Sequence, residues 1–120
     1  MATLKLKLQL MCGNDIAMGP GKVELLDAIE RTGSISAAAR SMGMSYRRAW
    51  LLVDTMNRCF REPLVEAHPG GGRQAGARVT EAGKEAREAY RALAQMAGES
   101  AHGVALNALT RALRETPPAQ

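Results

Sequence analysis

Residues 33 to 50, GSISAAARSMGMSYRRAW, restrict the fold more than any other part of the sequence. Two serine-led segments lie on either side of Gly43, the first with three consecutive alanines, the second with two adjacent arginines between aromatics. Ser34 or Ser36 suits the cap of one helix and Ser45 that of the next, because a serine hydroxyl accepts from the free amides of a first helical turn. Ala37, Ala38 and Ala39 leave room for another helix to approach closely. Gly43 permits the tight turn between the two segments. Two short helices joined in this way form a helix-turn-helix unit, with Ser36 to Met42 as its first element and Ser45 to about Phe60 as its second.

The flanks complete the unit. From Lys22 to Arg31 the residues Val23, Leu26, Ala28 and Ile29 recur at helical spacing, with Leu25 beside them, and Gly33 ends the run. In the helix after Ser45 the inner stripe is Ala49, Leu52, Val53 and Met56. With one Phe, one Trp and two Tyr in 120 residues, the core must be aliphatic, which favours helices over sheets. After Pro63 the short runs at 64–67 and 78–80 flank a tip containing Gly70, Gly71, Gly72, Arg73, Gln74 and Gly76, and so spell a loose hairpin. Three helices followed by such a hairpin make a winged helix-turn-helix: a mainly α fold with a small β-hairpin.

Two regions lie outside that unit. Residues 3 to 11 alternate, with Leu4, Leu6, Leu8 and Leu10 on one side and Lys5, Lys7 and Gln9 on the other, and this predicts a half-buried strand. Such a strand returns to a hairpin downstream or pairs with its copy in a partner. The segment GNDIAMGPG reads as a loop, with Pro20 suited to a helix entrance. Thr80 caps a long fourth helix to about Gly98, whose stripe is Ala86, Ala89, Tyr90, Leu93, Met96 and Ala97. A fifth helix, Val104 to Arg114, carries Leu106, Leu109 and Leu113. The expected organisation is a strand and winged helix-turn-helix over 1–80, a helical extension over 81–114 that serves dimerisation in preference to folding back on the domain, and a flexible tail over 115–120.

The formal net charge is +4, and the whole surplus lies in residues 34–80. An anionic partner such as double-stranded DNA fits that concentration. In a winged helix-turn-helix the second motif helix enters the major groove by its amino end. This places Arg47 and Arg48 where a guanidinium reaches a guanine edge or a phosphate. Adjacent helical residues point about 100° apart, so one arginine reads an edge and the other holds the backbone; spacing alone does not say which. Ser36 and Ser45 are polar contacts beside them. Tyr46 meets a phosphate or a thymine methyl, or packs on the first motif helix, and Trp50 borders the exposed face as a contact or a support. Arg73 and Gln74 are the wing's contacts.

Catalysis has no set of residues to carry it. His68 and His102 have no acid or thiol at useful spacing, Cys12 and Cys59 lack a ligand-like pattern, and the glycines do not form a phosphate-binding loop. No enzyme, metal or cofactor is expected. Neither a membrane span nor a signal segment is present in the sequence, so the expected location is cytoplasmic.

The run LLDAIERTGSISAAARSMGMSYRRAWLLVDTMN, followed by EPLVE, the glycine-rich wing and ARVTEAG, resembles the amino-terminal domain of the ModE family of molybdate-responsive regulators, and more distantly the LysR-type winged helices. The resemblance covers about residues 20–90. It implies a bacterial homodimeric transcription factor with Arg47 in the recognition helix, a wing at 68–77 bearing Arg73, and dimerisation through the opening strand and the post-wing helix. Leu4, Leu6, Leu8, Tyr90, Leu93, Met96, Leu106 and Leu109 are the dimerisation residues this points to. Full-length regulators of that family continue into oxyanion-binding domains, and these 120 residues hold no counterpart, so no molybdate-binding domain is expected in this chain. The function expected is operator binding at a pseudopalindrome, as a repressor, with molybdenum- or oxyanion-linked genes as the targets the resemblance implies. The alternative is a protein-interaction module that pairs with another regulator.

Overall fold

The computed structural model describes residues 2–68 and 76–120. Strands β1 (Leu10–Cys12) and β2 (Asp15–Met18) form an antiparallel hairpin, followed by helices α1 (Pro20–Thr32), α2 (Ile35–Ser41) and α3 (Tyr46–Cys59). Strands β3 (Val65–His68) and β4 (Gly76–Val79) make the second hairpin, and α4 (Glu81–Ser100) and α5 (Val104–Ala112) complete the chain. Helix α1 starts at Pro20, whose missing amide costs nothing there, and ends at Gly33 with φ 78°. Its core face carries Leu25, Leu26 and Ile29, fully buried against Val53 and Met56 of α3 and Leu64 before the wing. Ala38 and Ala39 of α2 and Ala49 of α3 are also buried, so small side chains fill the close helix contacts.

The opening segment corrects the sequence reading. The strand does not run over 3–11; it is confined to Leu10–Cys12. Its partner is Asp15–Met18, within the stretch read as a loop. Gly13 supplies the positive φ of the two-residue connection, at 60°. With Pro20 opening α1 directly afterwards, β2 stops at Met18, and residues 3–9 are left with no edge to pair with. Leu4, Leu6 and Leu10 therefore remain about half exposed and do not line a core of this chain. Only Leu8 is partly covered: its carbonyl accepts from the Tyr90 hydroxyl at 2.9 Å.

Helix α4 is bound to the domain by its first half. Thr80 accepts from the Gly83 amide at 3.0 Å and donates to the Pro63 carbonyl at 2.7 Å. Arg87 then bridges to Asp27 (3.1 Å) and Glu30 (3.0 Å) of α1. Beyond Tyr90 the apolar residues lose their cover: Leu93 and Met96 are exposed, as are Val104 and Leu109 of α5. The radius of gyration, 18.0 Å, exceeds the about 14 Å of a compact chain of this length, as a projecting helical arm requires.

Candidate nucleic-acid interface

Ser34, and not Ser36, caps α2: its hydroxyl oxygen accepts from the Ala37 amide at 2.9 Å. Ser36 is exposed and accepts from the Arg40 guanidinium at 3.0 Å. Ser45 caps α3, accepting from the Arg48 amide at 3.1 Å. The cap fixes the first turn of α3, and Tyr46, Arg47 and Arg48 all project from it into solvent. Neither arginine has a carboxylate partner among the described residues, and the same holds for Arg31 and Arg40. The contrast with α4 is direct, since Lys84, Arg87 and Arg91 are all paired with Asp27, Glu30 or Glu81. Positive charge is neutralised on the α1–α4 side and left open along the helix-turn-helix edge.

Trp50 is half-buried and packs edge to face against Tyr46, with ring centroids 6.4 Å apart and planes at 80°. Its indole N–H donates to the Tyr46 hydroxyl. The pair forms one wall of a cleft of about 340 Å³; Ser34, Ile35 and Ser36 form another, and Ala67, His68, Gly76 and Ala77 at the base of the wing form the third. The start of α2, the start of α3 and the wing thus face a common concavity.

The structure brings Ser36, Tyr46, Trp50 and Gly76 to this cleft, with Ser45, Arg47 and Arg48 on the adjoining turn. Gly70, Gly71, Gly72, Arg73 and Gln74 lie outside the described residues. Of the residues expected in dimerisation, Leu8 and Tyr90 meet within the chain, and Tyr90 and Leu93 share a small apolar groove with Leu10, Met18 and Phe60. Burial raises the Tyr90 hydroxyl above the usual tyrosine pKa. Leu4, Leu6, Met96, Leu106 and Leu109 are not part of that groove.

Two residues escaped the sequence reading. His68, at the end of β3, lines the cleft. Asn57 holds the wing to α3: its carbonyl oxygen accepts from the amides of Leu64 (2.8 Å) and Val65 (3.2 Å), and its amide donates to the Val65 carbonyl (3.0 Å). An asparagine on the inner side of α3, with a β-run eight residues on, is the only trace of this in the sequence. No group of three His, Cys, Asp or Glu side chains among the described residues is placed to hold a metal ion, and no described helix is long and apolar enough to cross a membrane.

A capped helix-turn-helix with an open arginine edge, joined to a β-wing across a cleft, defines the class: a winged helix-turn-helix domain of the DNA-binding regulatory kind. The chain belongs to the lysR family of bacterial regulatory helix-turn-helix proteins, which it matches over residues 21–84, and its domain is of the ModE type. It is 52% identical over 67 residues to the molybdenum-pterin-binding protein MopA of Rhodobacter capsulatus, covering 56% of this chain and 25% of that protein. It is 39% identical over 99 residues to the molybdenum transport protein ModE of Azotobacter vinelandii, covering 82% and 35%. With the DNA-binding transcriptional dual regulator ModE of Escherichia coli it shares 35% over 96 residues, covering 80% and 34%. The chain spans a quarter to about a third of the length of these relatives. Among solved structures, the DNA-binding domain of CbnR in complex with DNA has the same fold, with a TM-score of 0.51 at 21% identity over 67% of this chain and 86% of that one.

Proposed function

We propose that the chain is a sequence-specific DNA-binding transcriptional regulator that grips a pseudopalindromic operator as a homodimer. The observation that carries this reading is the exposed pair Arg47 and Arg48, left without carboxylates on the first turn of α3, next to Tyr46 of the cleft between that helix and the wing. Arg47 and Arg48 enter the major groove from the first turn of α3, the wall formed by Tyr46 and Trp50 lies against the sugar-phosphate chain, and Arg73 and Gln74 extend the contact from the wing. The exposed leucines and Met96 of α4, α5 and the opening segment support dimerisation, which sets two recognition helices about 34 Å apart. A protein seated on a promoter obstructs polymerase, so repression is the expected output. The names of its relatives point to molybdenum-linked genes as targets.

The test is selection of genomic fragments by the purified chain at moderate salt, with and without molybdate, followed by sequencing. A recovered two-fold motif, bound less tightly as salt rises in proportion to the phosphates neutralised, is expected. Retention without any enriched motif would overturn sequence-specific binding in favour of a protein-interaction module. A motif recovered equally with and without molybdate would place any oxyanion response outside these residues.

A further inference from the structure

We infer that Cys12 and Cys59 form a thiol–disulfide exchange site, a dithiol that small-molecule disulfides such as oxidised glutathione convert to an intrachain bridge. The two residues are 47 positions apart in sequence, and the fold brings them together because the β1–β2 hairpin packs on α3. Cys12 is the last residue of β1, beside the Gly13 turn, and its thiol is exposed. Cys59 is the last residue of α3 and is half-buried. The Cys12 thiol donates to the Cys59 carbonyl, with sulfur and oxygen 3.9 Å apart; that carbonyl belongs to the last turn of α3, where helix acceptors lack helical partners. The Cys12 sulfur thus lies against the backbone of Cys59, and burial is the first cause that pushes the Cys59 thiol above its ordinary value.

Accessibility sets the order of events. The Cys12 thiolate attacks one sulfur of oxidised glutathione, forming the mixed disulfide and releasing one glutathione thiolate. Cys59 then gives its proton to solvent and attacks the Cys12 sulfur, releasing the second glutathione. Both protein thiols are oxidised and one glutathione disulfide is reduced to two glutathione molecules, so electrons and protons balance. The chain has two cysteines, so no other intrachain bridge competes.

The experiment incubates the full chain, at low concentration, in glutathione buffers of increasing oxidised fraction, quenches it with acid, and alkylates it in denaturant before intact-mass analysis. A monomer lighter by two hydrogens, with neither cysteine alkylated, is the expected product. A Cys59→Ser chain should accumulate the Cys12–glutathione adduct to a level roughly tenfold above that in the native chain, where Cys59 resolves it. A persistent adduct of equal abundance in both chains, a disulfide-linked dimer, or two thiols still alkylated in strongly oxidising buffer would each overturn the assignment. The bridged chain should also melt at a higher temperature than the reduced one, since the link closes a long loop of the unfolded chain; a lower melting temperature would overturn the geometric basis of the inference.

Discussion

The Ala77 amide donates to the Gly33 carbonyl at 2.8 Å, so the wing is fastened to the turn between α1 and α2. Gly76 sits at the point of contact with φ 129°, and a β-carbon there would lie 2.7 Å from the same carbonyl oxygen. Gly76→Ala is expected to cost roughly 1–3 kcal/mol from the backbone conformation alone, with more from the displaced wing. Urea denaturation measures it, and a variant as stable as the native chain would contradict the contact.

Asn57 fastens the same wing from the other side. Asn57→Ala leaves the amides of Leu64 and Val65 and the Val65 carbonyl without their side-chain partner, and is expected to destabilise by about 1–3 kcal/mol. Asn57→Asp keeps the acceptor and loses only the donor, so it should fall between. Hydrogen exchange at Leu64 and Val65 should accelerate in the alanine variant ahead of exchange in α1.

Arg87 joins α4 to the domain through Asp27 and Glu30, and its own side chain is only 11% exposed. The two carboxylates are considerably more open to water, which reduces what the bridges contribute. Arg87→Met should cost about 1 kcal/mol, less in high salt. Equal losses in low and high salt would mean that packing, not charge, joins the two helices.

Arg47→Ala and Arg48→Ala separate base reading from backbone contact. The variant that loses an edge contact should reduce discrimination between the operator and single-base changes by about 1–3 kcal/mol. The other should weaken all sequences alike and shallow the salt dependence by about one phosphate contact. Competition binding on a panel of operator variants reads both. If both substitutions leave operator and mutant sites bound as before, α3 is not the reading helix.

Lys22 is 8% exposed, and burial is the main cause that lowers its ammonium below the ordinary lysine value of 10.5, with Arg48 adding to it and Cys59 and Asp15 opposing. With the folded value below the unfolded one, the unfolded chain binds more protons between the two, so this residue's contribution to stability rises with pH across that window. Below it, charged Lys22 costs stability. Lys22→Met should therefore melt above the native chain at neutral pH, and the gap should close as pH approaches 10.5. Parallel melting curves at all pH values would refute the sign.

The helix-turn-helix was legible because its signals are local. The caps of Ser45 and Thr80 and the positive φ of Gly33 and Gly43 act within a turn, and of the stripe Ala49, Leu52, Val53 and Met56 all but the half-buried Leu52 are buried. The opening segment misled because alternation predicts a strand but not an edge to pair with: Leu4 and Leu6 have the pattern and no partner, while Asp15–Met18 has the partner and little pattern. Ser34 and Ser36 could not be ranked as caps by spacing alone. Asn57, His68 and the meeting of Cys12 with Cys59 depend on how separate elements pack, which no local pattern encodes.

His68 and Gly76 face each other in register at the open end of the β3–β4 pair, and the Gly33 carbonyl holds the second of these strands from outside. Both strands of the wing thus have contacts of their own to the scaffold, β4 through Ala77 and β3 through Asn57. The segment between them, residues 69–75, is entered and left from a fixed base. Lengthening it or altering its charge should retune contact with a binding partner while the recognition helix stays aimed as before, so specificity at the wing can diverge without refolding the domain beneath it.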